Sequence, residues 1–92
     1  MSVSLSTNRR LDIHIQISDA VNRWLVSDDL NTNLSDKIKV DVKPVLVKIN
    51  SPTKDWEYYV HSDMSTSDIV DTVIRDLSEH YSIGNKLKQL GL

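Results

Sequence analysis

Residues 11–17 read Leu11-Asp12-Ile13-His14-Ile15-Gln16-Ile17, with an apolar side chain at every odd position and a polar one at every even position. Successive side chains of a strand point to opposite faces, so this period of two predicts a strand with one buried face. The residues before it, 1–10, carry Ser, Thr, Asn and Arg without an apolar period, which predicts a flexible tail and leaves 11–92 as a single domain. The residues after it admit two readings. Ala20, Val21, Trp24 and Leu25 form one helix face behind a Ser18 cap, whereas Arg23 to Val26 would suit the return strand of a hairpin; a short helix over 18–27 is preferred.

Asp28 to Asp36 is polar and reads as a loop. Alternation returns from Ile38 to Ile49 with a slip in phase: Val40 and Val42 are even, Val45, Val47 and Ile49 are odd, and Pro44 stands at the break. A slip of one residue sends every later side chain to the other face, so Pro44 predicts a bulge or bend at a sheet edge. Ser51-Pro52-Thr53-Lys54-Asp55 supplies turn chemistry before a further strand, Trp56 to His61.

Ser65 and Asp68 then form a capping box, and Met64 and Ile69 sit at the positions of a hydrophobic staple. Ile69, Val70, Val73, Ile74, Leu77 and Tyr81 recur at helical spacing, opposite Asp71, Thr72, Arg75, Asp76 and Glu79. Gly84 is placed to end this helix, with one more turn over Lys86 to Leu90. The expected fold is α+β: a small two-layer domain whose three- to four-stranded sheet, from 11–17, 38–49 and 56–61, packs on one main C-terminal helix, 66–82.

With 92 residues and 39% apolar side chains the chain supports one core. It has no cysteine, which removes disulfides and thiolate chemistry and suits a reducing, cytoplasmic setting. No apolar run reaches the roughly 18 residues that span a bilayer, and no signal peptide is read at the start, so no membrane partner is expected. The net charge of −2 argues against nucleic acid. Charge is nonetheless uneven: Lys37, Lys39, Lys43, Lys48 and Lys54 precede Asp63, Asp68, Asp71, Asp76 and Glu79, which predicts a basic and an acidic side.

Catalytic and cofactor motifs are missing. The two glycines, Gly84 and Gly91, make no phosphate-cradling loop or dinucleotide fingerprint. His14, His61 and His80 are not spaced as paired ligands on a helix, and the carboxylates fall on a loop and a solvated helix face, so no metal, cofactor or enzyme activity is expected.

Two resemblances add to this. Ser65-Thr66-Ser67-Asp68-Ile69 resembles the helix-start segment of CTP-dependent choline-phosphate cytidylyltransferases, which implies nucleotide or anion binding at Ser65, Thr66 and Ser67; the family's His-x-Gly-His motif has no counterpart here. The order from Val45 to Tyr81 (a strand with basic residues, a turn, a second strand and a Ser/Thr-capped helix) resembles the ubiquitin superfold, in particular Ras-association-type domains. That likeness implies an adaptor that binds a protein partner by strand addition. It departs from the family in having only eleven residues after Tyr81, and Glu57 where basic residues are expected, so the N-terminal strand has to stand in for missing ones.

The functional expectation is a non-catalytic protein-interaction or adaptor domain that binds a partner through an exposed sheet edge with Lys39, Lys43, Lys48, Lys54, Trp56 and Tyr59. Two alternatives stand beside it. One is a homo-oligomeric assembly module using Trp56, Tyr59, Leu87 and Leu90; the other is anion binding at 65–68.

Overall fold

The computed structural model describes residues 4–27 and 32–89; of residue 32 and of residues 82–89 it describes the backbone. In chain order it contains helix α1 (Thr7–Ser27), a 3-10 turn (Thr32–Asp36), strands β1 (Lys39–Val42), β2 (Leu46–Asn50) and β3 (Asp55–Tyr59), and helix α2 (Thr66–Gln89). The strands form one antiparallel sheet in the order β1-β2-β3. The domain is therefore α+β with two layers, as expected, but its helical layer holds two long helices where one was expected.

The strand expected at 11–17 is the first half of α1, and 18–27 is its second half. Positions four apart satisfy both a period of two and a helical period, so Ile13 and Ile17 fit either reading. The helical series continues through Val21, Trp24 and Leu25, and all five are buried. Leu11 and Ile15, which only a strand would bury with them, are 59% and 49% exposed. Ser6 caps the helix by accepting the Arg9 N–H at 3.2 Å, and the Gln16 side chain donates to Asp12 one turn back at 3.0 Å. Part of the segment 1–10 expected as a tail thus belongs to the fold: Leu5 is buried and its N–H donates to the Pro44 carbonyl at 2.7 Å.

The segment 38–49 is two strands, and Pro44 marks a hairpin where a bulge or bend was expected. Val40 pairs with Ile49 and Val42 with Val47, which leaves Pro44-Val45 as the tip; the Lys43 N–H closes it on the Leu46 carbonyl at 2.7 Å. In a two-residue hairpin, even positions of one strand face odd positions of the next, so the phase slip is the signature of the turn itself. The second hairpin repeats the device with Pro52-Thr53 at its tip. The Ser51 N–H donates to the Lys54 carbonyl at 3.0 Å, and the Ser51 hydroxyl accepts the Lys54 N–H at 3.1 Å.

Register sends Val40, Val42, Val47, Ile49, Trp56 and Tyr58 to one face of the sheet, where Val47 and Ile49 are fully buried. Both helices cover that face. Ile13, Ile17 and Leu25 of α1 meet Ile69, Val73 and Leu77 of α2 in one cluster with them. Burying an aliphatic side chain of this size contributes about 1.5–3 kcal/mol, so this cluster is what holds the layers together. The helices run parallel: near its start α1 touches the approach to α2 through Arg9, and near its end Trp24 packs against Tyr81 with the rings tilted and their centres 5.9 Å apart.

The cap and staple of α2 form as expected. The Ser65 hydroxyl accepts the Asp68 N–H at 3.0 Å, Met64 is half-buried and Ile69 is buried. Gly84 does not end the helix, which runs on to Gln89. A glycine inside a helix costs about 1 kcal/mol relative to alanine and does not by itself break it, and the Lys, Leu and Gln that follow favour helix. The extra turn over 86–90 is part of α2 as far as Gln89; the side chain of Leu87 and all of Leu90 lie outside the described residues.

Candidate functional site

In an antiparallel ladder, alternate residues direct N–H and C=O to the neighbour and the others direct them away. The bonds Ser51–Lys54 and Val60–Val45 fix this alternation for β3: Trp56 and Tyr58 turn toward β2, while Asp55, Glu57 and Tyr59 turn their backbone groups to the outer edge. In β1 the Lys43–Leu46 bond fixes the same pattern, so Lys39 and Asp41 turn toward β2 and Val40 and Val42 turn outward. Among the described residues no strand pairs with either edge.

Beside β3 runs a groove lined by Tyr58, Val60, Met64, Ile69 and Thr72, with Glu57 and Tyr59 at its rim. It exists because β3 and α2 are joined by a short link, 60–65, that returns the chain antiparallel to the strand. Tyr58 closes its floor: the phenol donates to Asp76 at 2.7 Å. Burial, and then the Asp76 carboxylate, push the Tyr58 phenol well above the usual tyrosine range, so it is a fixed proton donor. Tyr59, on the opposite face, is 77% exposed.

The sheet face away from the helices carries Lys39, Asp41, Leu46, Lys48, Asn50, Asp55, Glu57 and Tyr59. Lys48 lies 3.7 Å from Glu57, and Lys43 lies 3.8 Å from Asp41. Exposed pairs of this kind contribute well under about 1 kcal/mol each, but they interleave the charges and leave no uniform basic face.

The six residues expected to bind a partner therefore do not share one surface. Lys39 starts β1, Lys43 follows its end at the hairpin, Lys48 sits mid-sheet, and Tyr59 is on β3 with them on the outer face. Trp56 and Lys54 lie elsewhere: Trp56 faces the helices, edge-on to His80 at 5.4 Å between ring centres, and the Lys54 ammonium stands 5.3 Å above the indole. Sequence reading missed Glu57 and Asp55 as edge residues, and Met64 and Ile69 as groove lining. The signal was there in the parity of the hairpins, which decides what faces out.

Ser65, Thr66 and Ser67, the anion candidates, sit at the start of α2. The Ser65 hydroxyl and carbonyl serve the Asp68 and Ile69 N–H groups, and the nearby Arg9 guanidinium is turned to the carbonyls of Ser62 and Met64. Folding accounts for each of these groups. One nucleophile–base geometry also occurs, Thr53 Oγ1 at 2.8 Å from His80 Nε2. It is exposed, and Asp76, one turn before His80, is held by Tyr58, so the imidazole is flanked edge-on by Trp56 and Tyr81 and not by the carboxylate that a catalytic base uses. Among the described residues no group of three or more His, Asp or Glu is placed to hold a metal, and no helix is long and apolar enough to cross a membrane.

Comparison with protein-family models, characterised proteins and solved structures gives no match. The reading of function therefore rests on the geometry of the two open edges.

Proposed function

We propose that this is a non-catalytic protein-interaction domain that binds its partner by strand addition to β3. The observation that carries the reading is the outward set of backbone groups at Asp55, Glu57 and Tyr59 beside the apolar groove of Tyr58, Met64 and Ile69. Strand addition takes affinity from main-chain hydrogen bonds and specificity from pockets for alternate side chains, and β3 offers both. An added strand places its inward side chains in the groove and its outward ones beside Asp55 and Glu57. Its partner is thus an extended segment with apolar residues alternating with Lys or Arg. The lysine-rich stretch taken alone would suit an acidic partner; at the β3 edge the outward side chains are themselves acidic and favour a basic one.

The test is Glu57→Pro. The Glu57 N–H does not serve the β2 ladder, so proline is tolerated by the fold but deletes a central donor of the edge. A partner captured by the wild-type chain is lost by Glu57→Pro and weakened by Met64→Glu. Its addition also shifts the amide signals of residues 55–59. Capture unaffected by both substitutions overturns the reading.

A further inference from the structure

The exposed apolar residues of α1 are left over from the core, and they lie beside the second open edge. Leu11 lines a groove between Thr7, Arg10 and His14 of α1 and Val40, Asp41 and Val42 of β1, and Ile15, one turn on from Leu11, is exposed beside it on α1. Val40 lines a second recess with Ser18 and Val21, so the stretch of α1 from Leu11 to Ser18 stands level with Val40. The apolar alternation at 11–17 is thus a helix with two apolar sides: Ile13 and Ile17 face the core, Leu11 and Ile15 face out.

We propose that β1 pairs with β1 of a second copy of this chain, antiparallel about a two-fold axis at Val40, giving a six-stranded sheet with α1 packed on α1 above the junction. Three observations select this occupant. First, the outward backbone groups match over the centre: Val40 bonds reciprocally with Val40 of the second copy, and the Val42 N–H reaches the carbonyl of its Ile38, whose own N–H stays on the Leu34 carbonyl. Secondly, the charges match. This register sets Lys39 directly opposite Asp41 of the second copy, twice by symmetry, whereas a register centred on Asp41 sets two carboxylates together. The same operation on β3 sets Glu57 against Glu57 or against Asp55 in the registers centred on Glu57 or Trp56, so like charges disfavour both of those pairings. Thirdly, the two-fold brings Leu11 and Ile15 of both copies to one seam, where water is excluded from side chains otherwise exposed. Such an interface is closed and self-complementary.

The inference goes beyond the reading of β3 and is separable from it, because the dimer leaves both β3 edges free at the ends of the sheet. Light scattering and sedimentation across a concentration series of the full chain give twice the chain mass at high concentration. Lys39→Glu and Asp41→Lys each return the monomer, since each sets like charges opposite one another at both symmetric positions. Mixing the two variants restores the dimer, because every pair across the junction then again joins a carboxylate to an ammonium. In the wild type, hydrogen exchange at the Val40 and Val42 amides slows as concentration rises. A wild-type chain that stays monomeric, a dimer untouched by either substitution, a mixture that stays monomeric, or exchange at Val40 and Val42 independent of concentration each overturns the proposal.

Discussion

The Tyr58 phenol donates a 2.7 Å hydrogen bond to Oδ2 of Asp76, tying edge strand β3 to the middle of α2 across an 18-residue separation in sequence. It fixes the spacing of the groove between them, and the Thr53 hydroxyl at the hairpin tip adds a second polar tie to α2 through His80. Tyr58→Phe keeps the ring and removes the bond to a charged acceptor, and the expected loss is about 1 kcal/mol at this half-buried position, read by urea denaturation.

The same pair sets an alkaline limit. The folded phenol holds its proton above the ordinary value of 10.0, because burial and the Asp76 carboxylate disfavour phenolate. A pKa raised on folding contributes stability that is fully present below pH 10 and is lost as pH rises above it, when the unfolded tyrosine ionises first. Denaturation midpoints of the wild type should therefore fall more steeply above pH 10 than those of Tyr58→Phe. Parallel curves would show that the Tyr58 phenol is not held above its ordinary range by burial and Asp76.

Ile13 and Ile15 are equivalent to a strand and opposite to a helix. Ile13 is fully buried, so Ile13→Ala is expected to cost about 2–5 kcal/mol by lost burial and a residual cavity. Ile15→Ala, measured at a concentration low enough to keep the chain monomeric, should change stability by less than about 0.5 kcal/mol. Equal losses would restore the strand.

Arg9 donates to two carbonyls of the approach to α2, Ser62 at 2.6 Å and Met64. The planar guanidinium spans both, which a lysine ammonium cannot do in the same geometry. Arg9→Ala should cost about 1–2 kcal/mol and Arg9→Lys should recover only part, with faster amide exchange over residues 62–66 as the local readout.

Ser65→Ala removes the acceptor of the Asp68 N–H and is expected to cost about 1 kcal/mol. Ser65→Asp should retain most of the stability, because a carboxylate caps equally well and suits the positive end of the helix. If Ser65 served an anion instead, Ser65→Asp would abolish that binding while leaving the fold intact; phosphate titration followed by amide shifts at 65–68 distinguishes the two.

The start of α2 was legible because its signals are local: cap, staple and apolar face all lie within a few residues of one another. The two hairpins were half legible. Pro44 and the phase slip announced a break, but a bulge and a two-residue turn produce the same letters, and only the partner of Val42 separates them. Helix α1 was misread because Leu11 and Ile15 imitate a strand. Their exposure is a property of what surrounds the helix, which periodicity does not contain. The residues expected to bind a partner shared one stretch of sequence and came apart in space, since consecutive strand residues face opposite ways.

By itself, then, the sequence determined the α+β class, the capped helix at Ser65 and the turn-rich strands between Ile38 and His61, because each depends on neighbours along the chain. The tertiary structure decided that residues 7–27 are a helix, which edges of the sheet stay open and which side chains flank them. Those follow from pairings between distant residues, such as Arg9 with Met64 and Trp24 with Tyr81, and from which apolar positions the single core had room to bury.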